Sequence, residues 1–159
     1  MFFILKAGKF FQGKLAIGYP LFFYIIFNLF YCSFSIPFGI LSDKFGRKKI
    51  IEIGYVLFSL TAFGFIFAKT FSAFLLLFLL YGLVYAIIDG NQRAFISDLS
   101  SREERATALG IFHASLGIAA LPGSLIAGML WQINPNLTFL YGSITSLIAL
   151  ILLSILKQI

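Results

Sequence analysis

Cysteine and histidine are almost absent from this chain, which has one of each, Cys32 and His113, in 159 residues. A lone cysteine forms no intrachain disulfide and supplies no thiolate cluster, and no second cysteine or histidine exists to join His113 on a metal. Charge is scarce too: Asp, Glu, Lys and Arg make up 11% of the residues, against about 25% in soluble domains. That excludes an ordinary soluble globular protein. Acidic residues are the rarer sign, 6 against 12 basic ones for a net charge of +6. The basic residues are nonetheless scattered at the ends of apolar runs instead of lining one polar face, so a nucleic-acid partner is not expected. Residues 2–5 are too short an apolar run for a secretory signal core and no small-residue cleavage site follows, so no cleaved leader is expected.

Apolar side chains dominate what remains, at 60% of the chain with 21 Phe and a mean hydropathy of +1.00. They fall into five runs, at about 21–41, 50–68, 71–95, 104–131 and 137–156. Each is long enough to cross ~30 Å of hydrocarbon as a helix. The expected fold is an all-α membrane protein of five transmembrane helices, residues 20–159, preceded by a short segment, residues 1–19. The phenylalanines suit lipid-facing and gap-filling positions. Cys32, inside the first run, is read as a small packing residue.

One polar stretch, residues 39–49, separates the first two runs and holds four of the 12 basic residues. Gly39 is expected to let another backbone approach near the membrane surface. Asp43 is placed to accept hydrogen bonds from the N-terminus of a neighbouring helix. Gly46 permits the reversal, and Arg47, Lys48 and Lys49 hold a short loop on the cytoplasmic side. Glu52 can pair with Arg47 or Lys48.

Polar residues inside the runs are the candidates for function. Asn28 serves either an interhelical hydrogen bond or a solute path. Asp89 and Arg93 are four apart on one helical face, where each compensates the other; they form either a structural ion pair or a coupling site. Asn91 and Gln92 extend that cluster toward a cavity. Ser100 with Glu103, or Ser101 with Glu104, predicts a capping box for the fourth helix. Along that helix Gly110, Ala114, Gly117, Ser124 and Gly128 are small enough for close helix contact, which marks it as a packing centre. Pro122 and Gly123 predict a kink. His113 is a candidate for proton transfer or for an interhelical hydrogen bond. Early Lys6, Lys9 and Lys14, interleaved with Phe10, Phe11, Leu15 and Ile17, are compatible with an interfacial amphipathic segment.

The order Gly39-x-Leu41-Ser42-Asp43-Lys44-x-Gly46-Arg47-Lys48-Lys49 resembles the signature loop of the major facilitator superfamily (MFS) of secondary transporters. The likeness extends to Arg93-Ala94-x-x-Ser97-Asp98 and to the run Leu121-Pro122-Gly123-Ser124 with Gly128, and so covers nearly the whole chain. The resemblance implies a bundle of two six-helix repeats with the solute bound between them near the midplane. It makes this chain one half-bundle, with residues 1–19 the remnant of a first helix. The signature loop is most typical of the first repeat, but the stop after the fifth run favours the C-terminal half. No enzyme activity, cofactor or metal is implied. The expected partners are the lipid bilayer, a small solute and a complementary half or a second copy.

Positive charge sets the expected topology. Lys44, Arg47, Lys48, Lys49, Arg93, Arg102, Arg105 and Lys157 share one side, which should be cytoplasmic, in the cell inner membrane where the organism has two. A rival class rests on Asp89-Gly90-x-x-Arg93-Ala94, which faintly resembles the metal-binding signature of membrane phosphatidyltransferases. That signature places Ala before Arg and needs further aspartates, and residues 103–117 supply none. A small helix-packing membrane protein without transport is the remaining alternative.

Overall fold

The computed structural model describes residues 2–10 and 15–155, and all six of the elements in that range are helices: α1 (Phe2–Phe10), α2 (Leu15–Phe45), α3 (Arg47–Phe67), α4 (Phe71–Leu99), α5 (Arg105–Ile133) and α6 (Pro135–Ile155). The side chains carrying the interfacial reading (Lys9, Phe10, Phe11, Lys14, Leu15 and Ile17), and residues Leu156 and Lys157, lie outside the described set. Helices α2 to α6 are each long and apolar enough to cross a membrane. They overrun the expected runs at their polar ends. Backbone hydrogen bonding carries α2 on through Asp43 and Lys44, and α4 through Asp98, where hydropathy alone predicts an end.

The expected loop at 42–49 shrinks to a single residue. Gly46 alone separates α2 from α3, with φ at +97°, a conformation that L side chains resist. Its amide donates to the Ser42 carbonyl at 3.0 Å and its carbonyl accepts from Ile50 at 3.3 Å, so the ladder is nearly unbroken through the reversal. The two helices it joins are nevertheless not principal partners: α2 packs chiefly on α4, and α3 on α6 and α4.

Two glycines explain this arrangement. A Cβ on Gly82 would lie 2.7 Å from the Phe27 carbonyl oxygen and 2.9 Å from Phe30 Cβ, so the α2 and α4 backbones meet there. On Gly54 it would lie 2.6 Å from Ile88 and 2.8 Å from Ile87, closing α3 on α4. Contacts between α2 and α4 climb together, from Phe23 stacked on Phe78 at 5.2 Å, through Phe27 on Tyr81 at 5.0 Å, to Ser42 on Asn91, so those helices run parallel. Helices α3 and α6 run antiparallel. Ser59 and Ser143 share a 2.8 Å hydroxyl contact, Ser146 donates to the Tyr55 carbonyl at 2.8 Å, and Lys48 donates to the Ser154 carbonyl at 3.2 Å.

At the end opposite Gly46, α1 lies on an aromatic cluster: Phe3 packs on Phe65 at 4.4 Å, and Phe65 stacks on Phe139 at 5.7 Å. Lys6 is fixed there, donating to the Ile66 carbonyl at 3.2 Å and to Asn136 Oδ1 at 2.9 Å. Trp131 joins the cluster through Phe2 and Phe139. Thr70 caps α4 by accepting from the Ala73 amide at 3.2 Å. The predicted capping box is absent: Glu104 is the N-cap of α5 with no side-chain cap bond, and Ser101 Oγ donates to the Glu104 carboxylate at 2.9 Å instead.

Helix α5 corrects a second expectation. It is not a packing centre in this structure, since Ala127 is its one buried residue. Gly110, Gly117, Gly123 and Gly128 have no neighbour within 4 Å of an added Cβ. Pro122 lies inside a helix that continues on both sides of it.

Candidate functional site

Helices α3, α4 and α6 enclose a cavity of about 420 Å³ on the Gly46 side of the aromatic cluster. Its polar lining comes from Tyr55 on α3, Tyr85, Asp89 and Gln92 on α4, and Thr145 and Ser146 on α6. The spacing 85, 89, 92 is one face of α4, so helical periodicity alone delivers three polar groups to one wall.

Asp89 is the centre of this wall. Tyr31 of α2 donates to Asp89 Oδ2 at 2.7 Å, and Arg93, one turn along α4, pairs with the same oxygen. The carboxylate is 39% exposed and the guanidinium 47%. The pair is therefore half-hydrated, and its energetic value belongs to the modest range of surface pairs, roughly 0–1 kcal/mol. Beside it Gln92 Nε2 donates to the Tyr55 hydroxyl at 2.8 Å. A carboxylate, an amide, two phenols and two aliphatic hydroxyls thus share the cavity lining with the apolar Phe58, Val84 and Ile88.

Asn91 was expected at this cavity, but it points the other way and is 2% exposed. Its Nδ2 donates to the Ile87 carbonyl at 2.7 Å, and its Oδ1 accepts from Ser42 Oγ at 2.6 Å, with Ser42 itself fully buried. This node pins α2 to α4 two residues, about half a turn, from Asp89. Asn91→Leu should lower stability by about 0.5–1.5 kcal/mol, the net value of one buried hydrogen bond between helices, since Ser42 Oγ keeps the Gly39 carbonyl at 2.8 Å as its partner. Thermal unfolding in detergent reads this, and a melting temperature equal to wild type would show the node to be dispensable.

Below it, the signature residues form an ion network instead of a loop. Arg47 pairs with Asp43 at 2.8 Å and also with Asp98 at the end of α4. Lys48 lies 3.9 Å from Glu52. Asp43 thus holds a guanidinium, and no side chain caps the N-terminus of α3, contrary to the expected amide contact. Gly39 likewise has no neighbour within 4 Å of an added Cβ, so no backbone approaches it. Arg105 Nε reaches the Ser97 carbonyl at 3.1 Å and ties α5 to α4.

Three other expectations are corrected. Asn28 makes no interhelical bond; its Nδ2 donates to the Tyr24 carbonyl of its own helix at 2.8 Å. His113 is exposed on α5, with Phe112 as its ring neighbour at 5.4 Å, and does not line the cavity. Cys32 is exposed and not packed. Among the described residues no three His, Cys, Asp or Glu side chains gather to hold a metal. Tyr31 and Tyr55 were missed by sequence reasoning. A tyrosine in an apolar run carries no local sign of its partner, and Tyr31 is 58 residues from Asp89.

Five long apolar helices, three of them lining one partly polar cavity, define a multi-pass membrane protein. The match to the Major Facilitator Superfamily profile covers residues 10–158, and the chain belongs to that superfamily. It is 51% identical over 156 residues to an uncharacterized MFS-type transporter of Methanocaldococcus jannaschii, an alignment covering 96% of this chain and 39% of that protein. It is 34% identical over 110 residues to multidrug resistance protein 1 of Bacillus subtilis, covering 69% of this chain and 28% of the relative. With the quinolone resistance protein NorA of Staphylococcus aureus the identity is 28% over 117 residues, covering 73% and 30%. The chain thus spans about two fifths or less of the length of each of these relatives.

Proposed function

We propose that this chain supplies one half of a secondary transporter for small amphiphilic solutes and is inactive without a complementary half. The supporting observation is the uneven cover of its helices. Helix α5 buries only Ala127, and α2 leaves Leu21, Ile25, Leu29, Ile36 and Ile40 more than half exposed, while α3 and α4 are well packed. Two poorly covered helices flank the bundle, and the small residues of α5 gain close packing only against another helix. A complementary half or a second copy of the chain would cover them. In this reading residues 1–19 include the end of a first helix, since the Phe2 end of α1 lies over Phe58, which also lines the cavity. Gly39 and Asp43 then act at the contact between halves, and Pro122 and Gly123 let α5 bend during alternating access.

The solute class rests on the cavity lining and on the drug-resistance names of two relatives. Asp89 and Arg93 are the proposed coupling pair, with Asn28 and His113 placed where a complementary half would approach. The protein is a carrier and not an enzyme, sits in the cytoplasmic membrane, and has the Gly46 turn and the C-terminus inside. Reconstitution tests this directly. Purified chain in proteoliposomes with an imposed proton gradient should show no saturable uptake of amphiphilic cations. Uptake should appear when it is co-reconstituted with the part of the M. jannaschii relative that it does not cover. Saturable uptake by the chain alone, lost in Asp89→Asn, would overturn the half-transporter reading and favour a homo-oligomeric carrier.

A further inference from the structure

An open groove of about 510 Å³ runs between α3 and α6 and is lined by Lys49, Glu52, Ile53, Val56, Leu57, Leu60 and Leu150, with no residue from α2 or α5. The α3 members recur every three or four residues, so they form one straight stripe of that helix. From Lys49 to Leu60 the stripe rises about 16 Å, close to half of the ~30 Å hydrocarbon thickness. The groove is therefore one leaflet deep, apolar along its length and charged only at the end next to Gly46.

The charges at that end are unevenly engaged. Arg47 is held by Asp43 and Asp98, and Lys48 by Glu52 and the Ser154 carbonyl. Lys49 is exposed and has no carboxylate partner among the described residues. Glu52 faces Lys48, which offsets its charge and leaves the groove mouth net positive. A cation at headgroup level above a one-leaflet apolar groove fits a lipid carrying a negative phosphodiester, because basic pockets between transmembrane helices hold anionic headgroups.

We propose that this groove is a specific site for one anionic phospholipid, its phosphate on Lys49 and one tail along Ile53, Val56, Leu57 and Leu60. The site takes no residue from α2 or α5, the helices a complementary half would cover, and does not depend on transport. Fluorescence quenching in bilayers tests it. Trp131→Phe with Leu60→Trp places a single reporter at the deep end of the groove, and circular dichroism confirms that the variant is helical. In phosphatidylcholine bilayers, brominated phosphatidylglycerol should bind about fivefold more tightly than brominated phosphatidylcholine, the preference expected from one juxtamembrane lysine. Lys49→Gln should reduce that preference to about one, and Lys49→Arg should keep it. Equal quenching by the two lipids with Lys49 present would overturn the proposal, as would a preference that survives Lys49→Gln.

Discussion

Gly82→Ala should lower the melting temperature of the detergent-solubilised chain by about 2 to 12 °C, and Gly82→Leu should prevent α2 and α4 from closing at all. The added methyl would lie 2.7 Å from the Phe27 carbonyl oxygen, which is backbone and cannot swing aside. The helices must then part by several tenths of an ångström. That loosens the stacks of Phe23 on Phe78 and Phe27 on Tyr81, and pulls Tyr31 from Asp89. The estimate of about 1–3 kcal/mol for alanine is the usual range for overpacking a tight contact. Gly110→Ala is the control. It meets open space and replaces a poor helix former with the best one, so it should leave stability unchanged or slightly raised. Monodisperse, wild-type-like melting of Gly82→Leu would show that the close approach of α2 and α4 is not what holds the bundle together.

The second large effect is functional. In a transporter reassembled with a complementary half, Asp89→Asn should cut solute flux roughly 10- to 100-fold while leaving assembly intact. Such a loss corresponds to a barrier raised by about 1.4–2.7 kcal/mol, and it comes from the coupling role of the charge, not from the strength of the ion pair. Asparagine keeps the shape but withdraws the charge from both Tyr31 and Arg93, and Arg93 is left without its carboxylate partner beside the cavity wall. Tyr31→Phe removes only the phenol bond and should fall between. Stability should change little, because both members of the pair are substantially hydrated. Normal flux in Asp89→Asn, with expression matched to wild type, would reduce the pair to a structural ion pair at the rim.

The parts of this protein legible in one dimension are those governed by local physics. Burial of apolar runs in hydrocarbon depends on composition over a window, so five helices and their approximate limits follow from the sequence. The Asp89–Arg93 pair follows from helical periodicity, and the reversal at Gly46 from the conformational freedom of glycine. Small residues are less informative in one dimension, for a physical reason. A glycine marks where close contact is permitted, and whether contact occurs depends on what the fold brings there. Gly39, Gly117 and Gly128 face open space, while Gly54 and Gly82 carry the tight contacts between helices. The pairing of α2 with α4 in place of α3 places Tyr31 on Asp89 and Ser42 on Asn91, contacts 58 and 49 residues apart in the chain. No local pattern encodes such separations. They exist because three-dimensional packing selects, among many helices of similar hydropathy, the neighbours whose backbones can come close enough to touch.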